Sequence, residues 1–139
     1  MKIIMKKIVA LFIVMITLSA CSLNEEQTYT TEIVPIAEVT FPTKFATDSI
    51  TFIPMKYIKP TSCHLYNGIF YEATGLTRVV AIETIKVNQD NCQADNVTVT
   101  EVNLKFKPIA EGIYHFKFFS GINSQGQDEF LEFDATVDH

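Results

Sequence analysis

The sequence predicts an all-β domain, a two-sheet antiparallel sandwich of about seven strands. Three observations carry that expectation. Segments mixing β-branched and aromatic residues recur between turn signals roughly every 10–15 residues, the spacing of a sandwich rather than of alternating strands and helices. The last three segments alternate apolar and polar residues with a period of two, as half-buried strands require, and no segment shows a helical period. Eleven Phe and five Tyr with no Trp supply bulky material suited to strand cores.

The first element is not part of this fold. Lys2, Lys6 and Lys7 open the chain, the apolar run IVALFIVMITL follows, and the segment reaches Leu18-Ser19-Ala20-Cys21. A basic start, a short apolar stretch and small residues before a cleavage point describe a secretory signal over residues 1–20. The run is also too short to span a bilayer comfortably. LSAC resembles a bacterial lipobox, which implies lipid transfer to the Cys21 sulfur, cleavage before it and acylation of the new amino terminus. Two or more acyl chains hold a protein stably where a single chain holds it only marginally.

Residues 21–32 then read as a lipidated, flexible tether, because SLNEEQTYTTE is polar and without period. Ser22 lacks the aspartate that retains lipoproteins at an inner membrane, so the expected address is the outer membrane of a cell envelope. Glu25 and Glu26 resemble the acidic export signal of Bacteroidota surface lipoproteins. They fit a solvated tether equally well, which leaves periplasmic or outward orientation open.

Residues 33–139 remain for the sandwich, enough for one domain. EIVPIAEVTF reads as a first strand broken by Pro35, which suits an edge. DSITFIPMKYI is a second, its alternation shifted at Pro54 as at a bulge. SCHLYNGIFYEA is the third region, where Asn67-Gly68 fits either a two-residue hairpin or a bulge in one longer strand. LTRVVAIETIKV is the fourth and VTVTEVNLKF the fifth, with Val102, Leu104 and Phe106 on one face. GIYHFKFFS, the sixth, shares a face among Tyr114, Phe116 and Phe118. DEFLEFDATV, the seventh, does so among Leu131, Phe133, Ala135 and Val137, and Gly121 and Gly126 fit the hairpin loop between these two.

AEGIYHFKF resembles the tyrosine corner of immunoglobulin-like domains, which implies that the Tyr114 hydroxyl folds back onto the backbone beside Gly112. The immunoglobulin pattern also carries an Asp and a Cys where this chain has Ala110 and Phe116. The expected sandwich is therefore immunoglobulin-like in outline.

Charge narrows the function classes. Residues 1–20 hold three of the eleven basic residues and none of the sixteen acidic ones, so residues 21–139 carry eight against sixteen, a net of −8. Such a chain lacks the basic patch that nucleic acid or an anionic membrane surface needs. The expected contact with a membrane is the lipid anchor alone.

Cysteine arithmetic treats the Cys63-His64 pair. With Cys21 given to lipid, Cys63 and Cys92 form an even pair in an oxidising compartment, and a disulfide between them is expected. Cys92 lies in the polar loop NQDNCQADN, which the bridge would pin to the third strand. Adjacent residues on a strand point to opposite faces, so His64 next to Cys63 argues against a catalytic dyad. No CxxC or HxxxH spacing exists for zinc, and no cofactor is expected. His64 reads as a strand-surface or internally satisfied residue.

Other groupings are weaker. Asn88, Asp90 and Asp95 offer oxygens for calcium but lack the glycine and closing glutamate of an EF-hand loop. Glu129, Glu132 and Asp134 carry the carboxylates of a glycosidase pair without a burial that would raise one of them. Ile113, His115, Lys117 and Phe119, with Phe130, form a partly apolar outward ledge, open to a partner unless another strand covers it. Asp48-Ser49-Ile50 matches a three-residue O-glycosylation pattern of Bacteroidota envelope proteins, placing a candidate modification on Ser49.

KPTSCH, GIFYE, RVVAI, the second cysteine in a polar loop and GIYHFKFFSG…GQDEFLEF together resemble a group of lipoproteins from Flavobacteriia-like Bacteroidota, over about residues 40–137. That resemblance implies lineage and compartment and brings no activity with it. The expected function is a non-catalytic, lipid-anchored envelope module that binds a protein or glycan partner or serves structurally. The alternative is a small envelope enzyme acting on glycan or peptide.

Overall fold

The computed structural model describes residues 26–138, and among these every regular element is a strand. The order is β1 (Tyr29–Val34), β2 (Ile36–Val39), β3 (Phe45–Ala46), β4 (Thr51–Ile58), β5 (His64–Thr74), β6 (Thr77–Val87), β7 (Val99–Phe106), β8 (Gly112–Ile122) and β9 (Asp128–Asp138). The signal segment and Cys21 lie outside the described residues. Nine strands stand where the sequence indicates about seven. Both additional strands are accounted for: Pro35 splits the first into β1 and β2, and the two-residue β3 is too short to leave a periodic signature.

The strands form a six-stranded sheet and a three-stranded sheet of β2, β4 and β7. In the larger sheet β5 lines one edge of β6 along its whole length, while two strands share the other edge. β8 runs parallel to residues 77–80 of β6, and β1 runs antiparallel to residues 82–87. β9 then pairs β8, and β3 adds in parallel to the end of β9. The pairing is therefore antiparallel except at β6–β8 and β3–β9.

Pro35 separates two strands that belong to different sheets, and Val34 and Ile36 are buried on either side of it. A proline has no N–H to offer a ladder, so the chain changes sheets where a ladder bond would be lost anyway. β1 also begins at Tyr29, inside the stretch read as tether, and Thr30 is fixed there by the Asn88 side chain. Pro54 produces no bulge against β7. Its carbonyl accepts the Thr40 N–H at 2.9 Å, so its ring nitrogen faces the β2 side, beyond the Val39–Met55 end of that ladder. The irregularity in this sheet lies instead between Ile36 and Glu38. Asn67 is a bulge: β5 continues through it with a register shift between Tyr66 and Gly68. The true turn is Gly75-Leu76, where Gly75 takes φ 57°, a left-handed conformation that glycine adopts without a Cβ clash.

The core lies between the sheets. Ile53, Met55 and Tyr57 of β4 with Leu104 and Phe106 of β7 face Tyr114, Phe116 and Phe118 of β8 and Val80 and Ile82 of β6. The Phe116 ring meets those of Phe106 and Phe41 edge-on at 4.9 and 5.4 Å, the favoured quadrupole geometry. The Tyr114 hydroxyl donates to the Ala110 carbonyl at 3.1 Å and accepts the Ala110 N–H at 3.3 Å, closing the turn before β8. Tyr114→Phe leaves the ring in place and removes both bonds. It should lower the unfolding free energy by about 1–2 kcal/mol in urea titration, the cost of a buried group left unpaired. Arg78, the only arginine, is buried across the same ring at 4.9 Å and donates to the Gly75 and Thr77 carbonyls.

Candidate functional site

Two neighbourhoods compete for a working role: the corner around Cys63 and His64, and the outward face of the six-stranded sheet.

At the corner, Cys63 immediately precedes β5 and Cys92 sits in the loop between β6 and β7. Their sulfurs are joined, with the Cα atoms 5.4 Å apart. Backbone bonds reinforce the link: the Ser62 N–H reaches the Gln93 carbonyl at 2.9 Å and the Asp95 N–H reaches the Pro60 carbonyl at 3.0 Å. A disulfide has no thiolate to act as nucleophile or metal ligand. The polar loop is thus stitched to the start of β5.

His64 is buried rather than on the strand surface, and both ring nitrogens are engaged. Nδ1 lies 2.8 Å from Thr61 Oγ1, and Nε2 lies 3.0 Å from Glu32 Oε2 on β1. The Glu32 carboxylate can only accept, so Nε2–H donates to it, and in the neutral ring Nδ1 is then the acceptor of the Thr61 hydroxyl proton. Hydroxyl, imidazole and carboxylate in line is the order that activates a nucleophile in hydrolases. Here the ring is walled off, with 2% of the residue exposed, and the hydroxyl is held in a turn by its own backbone. The line ties β1 to β5.

This tie gives Glu32 a carboxyl pKa below the ordinary 4.5, first because His64 hydrogen-bonds the anion, against the opposing effect of desolvation, and further because of the charge of Lys86 at 3.6 Å. A depressed folded pKa contributes stability that is present above 4.5 and is lost as pH falls through the lower folded value. Glu32→Gln should therefore be less stable than the parent at neutral pH, with the gap closing in acid, as read from urea midpoints between neutrality and strong acid.

The remaining candidates separate. Asn88 Oδ1 accepts the Thr30 hydroxyl while its amide nitrogen donates to Thr28 and Thr30, and Asp95 Oδ1 accepts the Thr98 N–H, so both oxygens are engaged within the protein. Among the described residues no three His, Cys, Asp or Glu side chains gather around a common point. Glu132 lies 3.8 Å from the Lys117 ammonium, and Asp134 lies 2.7 Å from His115 Nδ1, so each carboxylate has a different partner. Ser49 is exposed in the loop before β4, after Asp48 at φ 60°.

The outward face has a different character. Ile113, His115, Lys117 and Phe119 of β8 all lie on it, with Phe130 of β9 paired across from Phe119. The Lys117 ammonium rests over the Phe130 ring at 4.6 Å, and the Phe119 and Phe130 rings meet edge-on at 6.1 Å. Phe119 and Phe130 do more than form a ledge. With Ile33 of β1, Phe70 of β5 and Val79 and Ala81 of β6 they line an open apolar hollow of about 370 Å³, with Ile122 and Asp128 at its end. Ile113 stands apart from it, toward the Thr136 end of β9. Phe70 and Ile33 are exposed by 41% and 44% despite their size. No other strand covers this hollow among the described residues.

Ile33, Phe70, Thr61 and Glu32 were not marked by the sequence. Ile33, Phe70 and Glu32 meet their neighbours only through pairings between distant strands. The one local hint was Thr61 three residues before His64.

Against protein-family models, curated proteins and solved structures, the chain has no significant match in any of the three comparisons.

Proposed function

We propose that this chain is a lipid-anchored module of a bacterial cell envelope, binding a partner without catalysis through the outward face of its six-stranded sheet. The observation that carries the reading is the apolar hollow bounded by Phe70, Phe119 and Phe130. Contiguous apolar surface rimmed by polar groups marks interaction sites on soluble domains. The anchor rests on the LSAC sequence, and the outer-membrane address on Ser22 and the tether that follows it. The resemblance to Bacteroidota lipoproteins points to the same compartment. An immunoglobulin-like description of the sandwich draws support from the Tyr114 corner and from a first strand divided between the two sheets.

A small envelope hydrolase is the second reading, favoured by the Thr61–His64–Glu32 line. One screen separates the two. The folded protein is offered glycans, peptidoglycan fragments, peptides and hydrolase substrates. Binding without turnover is the expected result. Turnover that vanishes in Thr61→Val would replace the module with the enzyme. Mass spectrometry of the protein from its bacterium should find an acylated Cys21 at the amino terminus, and a free cysteine there would remove the anchor.

A further inference from the structure

We propose that the hollow on the six-stranded sheet receives a basic, apolar polypeptide segment of a partner protein; this rests on the reading of that face as the binding surface. Charge complementarity selects this occupant. Strand pairing assigns five carboxylates to this face: Glu72 and Glu83 beside Val79 and Gly68, and Asp128, Glu132 and Asp134 along β9. Against them stands a single lysine, Lys117, already engaged by Glu132 and the Phe130 ring. The hollow thus has an apolar floor with Asp128 at its end, on a face rich in carboxylates and on a chain whose residues 21–139 carry a net charge of −8. Opposite potentials steer encounter and suppress wrong partners, while the desolvated apolar centre supplies most of the affinity. A segment placing Phe, Leu or Val in the hollow with Lys or Arg on either side satisfies both parts. An anionic lipid surface or an acidic peptide satisfies only the first. A second copy of this chain would bring the same carboxylates face to face.

The test uses the full protein purified from its membrane and held in phosphatidylcholine nanodiscs, with empty nanodiscs as the blank. Three labelled heptapeptides are titrated at physiological salt: KFKVKFK, EFEVEFE and KSKSKSK. Only KFKVKFK should bind. Its affinity should fall by about tenfold in Phe70→Ser, the loss of one interfacial anchor. Glu72→Gln combined with Asp128→Asn should weaken it and flatten its salt dependence, without risk to the core. Glu38→Gln, which removes a carboxylate paired with Lys56 on the smaller sheet, should change nothing. If EFEVEFE binds equally well and in a Phe70-dependent way, the face is a docking site and the charge class is wrong. If Glu38→Gln weakens KFKVKFK as much as the face variants, the attraction is diffuse and the inference fails. A dimer abolished by Phe70→Ser would give the face to a second copy. If no peptide depends on Phe70, the module reading falls too.

Discussion

Phe116→Ala should lower the unfolding free energy by about 3–5 kcal/mol, the range for truncating a fully buried aromatic. Phe116 has no exposed surface, and its ring touches Phe41, Phe106 and Phe118 at centroid distances of 4.9–5.8 Å. Removing it loses transfer energy and leaves a cavity between two sheets whose strands are held by ladders and cannot close the gap. Domains of this size are stable by only about 5–15 kcal/mol, so a large part of the total is at stake. Denaturant titration should show an earlier midpoint with an unchanged slope. Phe52→Ala is the natural contrast, because Phe52 is 53% exposed on the outer side of β4. Surface substitutions usually fall within about 0.5 kcal/mol.

Loss of the disulfide should cost nearly as much. Cys63 and Cys92 are 29 residues apart, and closing a loop of that length removes about 3–4 kcal/mol of freedom from the unfolded chain. Cys63→Ser with Cys92→Ser should lower the melting temperature by roughly 10–20 °C for a domain of this size. The local consequence is sharper. The loop of residues 88–98 is largely polar and exposed, so without the sulfurs it is held by hydrogen bonds such as Ser62 N–H to the Gln93 carbonyl and the Asn88 amide to Thr28 and Thr30. Hydrogen exchange in that loop should accelerate well before β8 and β9 are affected. Exchange that rises uniformly across the chain would mean that the bridge stabilises the whole fold with no special hold on its loop.

Much of this architecture was written locally. Alternation along GIYHFKFFS and DEFLEFDATV assigns Tyr114, Phe116, Phe118, Ala135 and Val137 to one buried side, because a period of two needs no knowledge of the partner strand. The tyrosine corner is equally local, with acceptor and donor only four residues apart. The cysteine pairing followed from parity, once Cys21 was assigned to lipid. What could not be read was non-local. Pro35 breaks a strand whether the chain stops, bends or changes sheets, and only the position of β4 decides among these. The sharing of one β6 edge by β1 and β8 brings Ile33, Phe70, Phe119 and Phe130 around one hollow from four strands. Each looks like an ordinary exposed apolar residue by itself. Glu32 was hidden for another reason: polar side chains facing solvent made the start of β1 resemble a tether.

We propose the hollow as the working surface and a structural role for the Cys63–His64 corner. A residue-resolved magnetic resonance titration of the folded protein with KFKVKFK compares the two directly. Amide shifts should gather at Ile33, Phe70, Ala81, Phe119 and Phe130 and leave Thr61, His64 and Cys92 unmoved. Shifts centred on Thr61, His64 and Cys92, with the hollow silent, would contradict it.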